Sequence, residues 1–232
     1  MRKISKFLSL TVLILLNMSC EKDTDSNFTL KGYVKGLKKG TVYLQKQQDS
    51  LLITLDSLEI QGEPNFELHT NLEEPEMLYL KLDKNASEEE MVVFFADTGV
   101  TEIHSTRKLF NYNSKIKGSK QQEVLEEYLS TISKLNNRNL DVLQSNFESN
   151  SGTSFNEQQQ NFLKEKYRYT INFSLGNNNS EVAPYLAIYE IPNTSVRYLD
   201  TIYNTLTPQI KASKYGKLLK ETIEFRKAED NN

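Results

Sequence analysis

Few side chains in this 232-residue chain have the type and spacing to do chemistry. Cys20 is its one cysteine. Thiol–disulfide exchange needs an attacking thiolate and usually a resolving partner, so a lone cysteine supports neither a redox cycle nor a disulfide staple. His69 and His104 fall in separate expected strands, and no His-x-x-x-His or comparable spacing makes them zinc ligands. Each reads as a surface or edge residue. Glu88-Glu89-Glu90, with Asp83 and Asp97 near in sequence, offers oxygens to a hard cation. It lacks the alternating ligands and glycine turn of a calcium loop and reads as a solvated loop. Ser57 and the other serines have no base–orienter pattern beside them. The nine glycines are read as turn residues, with no phosphate-cradling loop among them. The expectation is no catalytic residue, no cofactor and no metal site. Seven tyrosines (Tyr167, Tyr169, Tyr185, Tyr189, Tyr198, Tyr203 and Tyr215) recur at helical spacings and are most simply packing residues. A minority of them is left to line a sugar- or peptide-binding groove.

The elements that must carry these residues begin with an address. Arg2, Lys3 and Lys6 precede the apolar run Phe7–Leu16, broken only by Ser9 and Thr11, and small residues follow: the layout of a secretory signal. Ten residues fall well short of the roughly twenty a spanning helix needs. Asn17-Met18-Ser19-Cys20 resembles a bacterial lipoprotein signal, in which the cysteine becomes the first residue and is acylated; Leu16 stands four residues before the cysteine rather than the usual three. The resemblance implies Cys20 as the lipid-attachment residue and an exported, outer-membrane-anchored protein on the periplasmic or cell-surface side. An ordinary cleaved signal with an incidental cysteine is the other reading. One acyl chain anchors only marginally, at about 0.8 kcal/mol per buried CH₂, whereas a cluster of chains holds permanently. Glu21 to Asn27 is polar and reads as a tether, and is also similar to the acidic export signals of Bacteroidota surface lipoproteins. The expected divisions are 1–19 signal, 20–27 tether, 28–106 β-rich domain and 107–232 helical domain.

Removing Arg2, Lys3 and Lys6 from 28 basic residues leaves 25 against 31 acidic ones, a net charge of −6. Such a chain has no surplus of cations to neutralise phosphates, which excludes a nucleic-acid partner. At 38% hydrophobic residues, with 11 Phe and 12 Tyr, it can still build a core.

From Phe28 to about Ser105 the apolar spacing is two, bounded by Gly, Pro, Asn and Asp. Phe28, Leu30 and Val34 alternate with polar residues, as do Val42 and Leu44, and then Leu51, Ile53 and Leu55 followed by Leu58 and Ile60. Gln61 to Asn65 is a turn, and Phe66 and Leu68 follow it. Leu78, Leu80 and Leu82 share a face, and Met91–Ala96, almost wholly apolar, reads as the most buried strand. Seven short strands predict an antiparallel sandwich or open barrel. After Gly118 the spacing becomes three and four. Ser119 and Gln122 fit a capping box, and Val124, Leu125, Tyr128, Leu129, Ile132 and Leu135 form one stripe. Ser154 and Glu157 open a second helix with Phe162, Leu163, Tyr167 and Ile171. Val182–Glu190 is a third, with Pro184 tolerable only in the first turn. Asn193 or Thr194 caps a fourth, and Pro208 starts another. The fold class is α+β, a sandwich or open barrel followed by an all-helical bundle.

Phe28-x-Leu30-x-Gly32, Gly36-Leu37, Gly40-x-Val42-Tyr43-Leu44, Asp56-Ser57, Gly62, Phe66, Pro75, Phe94-Phe95 and Gly99-x-Thr101-x-Ile103 together resemble domain of unknown function 4369. This β-rich domain of Bacteroidota exported proteins usually precedes a thioredoxin-like domain. Here Glu63, Pro64 and Asn65 separate Gly62 from Phe66, where the family usually has one residue. The resemblance implies a fold, not a chemistry, and no Cys-x-x-Cys is present in these residues. Asp49-Ser50-Leu51, Asp56-Ser57-Leu58 and Asp200-Thr201-Ile202 resemble the Bacteroidota O-glycosylation pattern. The expected role is a non-catalytic envelope binding module with an envelope protein as partner. Two alternatives are a ligand-binding accessory protein for nutrient uptake, using aromatics between the two halves, and a non-catalytic partner of a separate thiol–disulfide oxidoreductase.

Overall fold

The computed structural model describes residues 26–48, 51–83, 90–149 and 155–230. Cys20, Asp49, Ser50, Glu88, Glu89 and Ser154 lie outside them. Eight strands come first: β1 (Phe28–Lys35), β2 (Lys39–Gln48), β3 (Leu51–Gln61), β4 (Asn65–Thr70), β5 (Glu76–Lys81), β6 (Met91–Ala96), β7 (Gly99–Thr106) and β8 (Lys115–Lys117). Six helices follow: α1 (Lys120–Ser149), α2 (Phe155–Gly176), α3 (Val182–Tyr189), α4 (Val196–Thr205), α5 (Pro208–Ala212) and α6 (Lys214–Asp230). This is the α+β arrangement expected from the change of period at Gly118.

The strands form two four-stranded sheets, ordered β4-β1-β7-β8 and β3-β2-β5-β6. Their facing sides close over one core that includes Phe28, Leu30 and Val34 of β1, Val42 and Leu44 of β2, Leu78 and Leu80 of β5, and Val92 and Phe94 of β6. Most pairs are antiparallel, but β1 and β7 run parallel, from Phe28 opposite Gly99 to Lys35 opposite Thr106. β7 reaches β1 only after the chain has built the whole second sheet, and it enters at the end where β1 begins. The change from odd to even apolar positions within β3 is a bulge: Leu44 pairs Asp56 and Gln45 pairs Thr54, leaving Leu55 as the extra residue. Asp56 uses the bulge to tie the two sheets, accepting the His69 amide of β4 at 2.7 Å and the Ser57 amide at 2.8 Å.

Strand β8 was not visible in the spacing, because three residues with one apolar side chain show no alternation. It pairs with β7 and carries the first sheet beyond residue 106, the expected end of the β-rich domain, to just before the change of period at Gly118. Not every glycine marks a turn. Gly32 lies inside β1, opposite Phe66, and a Cβ there would stand 2.1 Å from the Phe66 ring. Its missing side chain is the space the ring occupies. Gly216, inside α6, similarly allows the backbone of Ile210 to approach.

The near-continuous apolar character of β6 has its cause in the helices. Val92, Phe94 and Ala96 face the sandwich core, whereas Phe95, with Met77 of β5, lies on the opposite face beneath the helices. Leu125, Tyr128, Ile132 and Leu135 of α1, Phe173 of α2, Leu186 of α3 and Tyr215 of α6 complete this second core. A strand covered on both faces loses its polar alternation. A third cluster, including Ala183, Ala187, Leu199, Ile202 and Leu219, lies within the helical part. Two details differ from the sequence reading. Leu129 and Leu163, counted in the apolar stripes, are 46% and 47% exposed, and Ser195 rather than Asn193 or Thr194 stands at the N-cap of α4. Among the described residues, no helix is long and apolar enough to cross a membrane.

Candidate functional site: a tyrosine-lined cleft where sheet meets helices

The second sheet's outer face meets the helices through side chains that satisfy strand amides. β2 pairs with β5 only as far as Lys46 opposite Leu78, so the Met77 amide has no strand partner on that side. The Tyr215 phenol oxygen accepts it at 3.1 Å. Across β5, the Phe95 amide of edge strand β6 is taken by Gln122 Oε1 at 2.8 Å. The anticipated capping box is therefore half used: Ser119 Oγ accepts the Gln122 amide at 3.0 Å, while the Gln122 side chain serves the sheet. Asp97 Oδ2 accepts from Ser119 Oγ (2.8 Å) and the Gln121 amide (3.1 Å), an anion placed favourably at the start of α1. Gln121 Oε1 in turn accepts from Ser180 Oγ and the Glu181 amide.

At the start of α6, Glu74 accepts the Lys214 amide at 2.7 Å and Ser213 Oγ donates to Glu181 Oε2 at 2.6 Å. Glu76 is held between Lys46 (3.4 Å) and Lys214 (2.5 Å). Burial pushes the Glu181 carboxyl up to about 7; Glu74 and Asp97 add to the rise and the Ser213 hydrogen bond opposes it.

Beside this seam opens a cleft of about 410 Å³. Gln47, Met77 and Tyr79 form its sheet side, and Tyr185, Tyr189, Lys214, Tyr215 and Leu218 its helical side. Tyr185 is the hub. Its ring meets Phe95 at 5.8 Å and Tyr215 at 5.4 Å, both edge to face, and Tyr189 at 4.8 Å with a 41° tilt. Tyr79 donates to Gln47 Oε1 at 3.3 Å. Burial raises the phenols of Tyr79, Tyr189 and Tyr215, and takes Tyr185 to about 12, so all four stay protonated as neutral hydrogen-bonding groups. Lys214, the one charged residue of the lining among the described residues, is already paired. The arrangement offers ring faces, neutral hydroxyls and an amide, a constellation suited to binding.

Three of the seven tyrosines singled out in the sequence, Tyr185, Tyr189 and Tyr215, thus meet at this cleft. Tyr169 instead stacks on buried Tyr128 at 5.7 Å, whose hydroxyl pairs with Thr170. Tyr167 and Tyr203 pack against the helical core, and Tyr167 and Tyr198 line a separate recess of about 360 Å³ between α2 and α4. Sequence reasoning missed Gln47, Met77, Tyr79 and Lys214. The strand alternation that set Leu78 and Leu80 inward also sets Met77 and Tyr79 together on the outer face, and that was the available signal.

The histidines do not meet. Both lie on the outer face of the first sheet, His69 opposite Thr29 and His104 opposite Tyr33, on either side of β1 and offset along it by four strand positions, about 13 Å. His69 Nδ1 lies 3.1 Å from Thr29 Oγ1, and His104 packs on the Tyr33 ring. Glu90 precedes β6 and Asp97 caps α1, so these acids do not converge. Among the described residues, no group of three or more His, Cys, Asp or Glu is placed to hold a metal ion. Ser57 is exposed on β3, and the Thr201 hydroxyl is bonded to the Arg197 carbonyl within α4.

The class is an α+β protein, a two-sheet sandwich with one sheet roofed by helices. Residues 28–125 match the family described as Domain of unknown function (DUF4369), so the resemblance read from the turn and core residues is shown. The match takes in all eight strands and the start of α1. It contains Gln47, Met77 and Tyr79, while the helical side of the cleft lies outside it. No curated protein and no solved structure matches the chain.

Proposed function

We propose that this protein is a non-catalytic binding module of the cell envelope, tethered through lipid on Cys20, and that it binds through the tyrosine-lined cleft. The cleft itself carries the reading. It gathers ring faces and neutral hydroxyls in one concave space and sets no nucleophile–base pair among them. Concave, mostly apolar sites with a few placed polar groups suit small molecules better than flat protein epitopes. This favours the role of ligand-binding accessory, with uptake as the associated process, over docking of an envelope protein.

Footprinting by tyrosine nitration tests it. Tyr189 is 51% exposed in the cleft, whereas Tyr112 and Tyr198, at 75% and 50%, lie elsewhere. Envelope extract from the native host should protect Tyr189 and leave Tyr112 and Tyr198 reactive. Protection that spares Tyr189, or none at all, would remove the cleft from the account. The tether is tested separately, by an intact mass equal to Cys20–Asn232 plus acyl chains.

A further inference from the structure

The cleft's chemistry narrows its ligand to a class, a step that rests on the binding reading just given. Charge comes first. Lys214 is held by Glu76 at 2.5 Å, so among the described residues the lining presents no unopposed cation to an anionic ligand and no carboxylate to a cationic one. Breaking that pair to accommodate a charge would leave Glu76, itself buried, without its nearest partner. The hydrogen-bonding groups come second. The Tyr185 and Tyr189 hydroxyls have ring neighbours but no hydrogen-bond partner among the described residues, while Tyr79 and Gln47 already pair with each other. A purely apolar ligand would cover those two hydroxyls without replacing their water, at a cost. Shape is third. The rings surround one compact space of about 410 Å³, rather than the extended track on which a polyproline segment lies.

A neutral sugar ring meets all three conditions. Its faces carry polarised C–H groups that settle on the electron-rich face of an aromatic ring. Its edge carries hydroxyls able to accept from phenols and exchange hydrogen bonds with an amide. We propose that the cleft binds a neutral pyranose unit of a glycan, with the exposed Tyr189 ring as stacking platform and the Tyr185 and Tyr189 hydroxyls as its hydrogen-bonding groups.

The chain contains no tryptophan, so its intrinsic fluorescence comes from 12 tyrosines, four of which line the cleft. The full mature protein is titrated with maltotriose, cellotriose, mannotriose, trigalacturonate and decaproline, following tyrosine emission and melting temperature. At least one neutral trisaccharide should give a saturable change and raise the melting temperature by mass action. Tyr189→Ala should weaken that binding about tenfold or more, and Tyr112→Ala should leave it unchanged. Tyr189 is half exposed, so its loss leaves the core intact; Tyr185→Phe, which deletes only the hydroxyl, should weaken binding several-fold with every ring contact retained. Tyr189-dependent binding of decaproline or trigalacturonate without any neutral sugar overturns the sugar class and leaves the binding cleft standing. No Tyr189-dependent response to any neutral sugar likewise overturns the class, and the nitration footprint then decides the cleft independently.

Discussion

Glu181 is a buried carboxyl whose charge the fold penalises, and replacing it with glutamine should reveal the size of that penalty. The residue is 5% exposed, Ser213 is its only close side-chain donor among the described residues, and Glu74 and Asp97 both oppose its ionisation. In the unfolded chain the carboxyl loses its proton near 4.5; in the folded protein it holds on until about 7. Between those values the unfolded chain binds fewer protons than the folded one, so stability falls as pH rises and levels off above about 7. Below 4.5 the contribution is complete. The gap sets a ceiling of about 3 kcal/mol at about 1.36 kcal/mol per pH unit, and relaxation with water entry reduces it to on the order of 2 kcal/mol.

Glu181→Gln keeps an oxygen for Ser213 and removes the charge. At pH 8 it should therefore be more stable than the parent by on the order of 2 kcal/mol, which for a chain of this size is about 4–8 °C in melting temperature. At pH 4 both side chains are neutral in the folded state and the carboxyl is mostly protonated in the unfolded chain as well, so the difference should nearly vanish. Differential scanning calorimetry of both proteins at the two pH values reads this directly, because titrating groups other than the coupled Glu74 and Asp97 cancel in the comparison. A variant less stable at pH 8 would refute the reasoning. It would mean that the N-terminus of α6 stabilises the carboxylate more than burial and its acidic neighbours destabilise it.

Three further substitutions test the joints of the fold. Gly32→Ala should cost about 2–3 kcal/mol in urea unfolding, because its methyl group overlaps the Phe66 ring, and Phe66→Leu in the same chain should recover part of the loss. Gln122→Ala leaves the buried Phe95 amide without an acceptor and should cost about 1–3 kcal/mol by the same assay. Asp56→Asn keeps one oxygen but presents an amide to another donor, so it should cost about 1 kcal/mol and speed hydrogen exchange at the His69 amide.

The strands were legible where one face is buried. Phe28, Leu30 and Val34, or Leu78 and Leu80, alternate for that reason, and the switch of period at Gly118 marks where a helix takes over. The parity change between Leu55 and Leu58 was also visible, although its meaning, a bulge that frees Asp56 to clasp β4, needs the partner strand. Position alone hid the role of Gly32, since a glycine beneath an aromatic ring and a glycine in a turn are the same letter. Gln122 had the right letter for a capping box, and its side chain went to the stronger demand, an otherwise unpaired strand amide. Leu129 and Leu163 show the reverse, apolar residues at helical spacing that stay about half exposed.

The cleft was the least legible part because no stretch of the chain contains it. Its sheet side comes from residues 47 to 79 and its helical side from residues 185 to 218. The two sides are brought together by the core that buries Phe95 and Met77 under α1, α3 and α6. Each of those elements carries an ordinary packing signal, and the tyrosines at their margins look like more of the same. What distinguishes Tyr185, Tyr189 and Tyr79 from Tyr128 or Tyr169 is that the sheet and the helices diverge just past them. The sandwich and the helices are therefore each incomplete as a cleft: the first supplies Gln47, Met77 and Tyr79, the second a cluster of rings, and the lining proposed to bind exists only where the two meet.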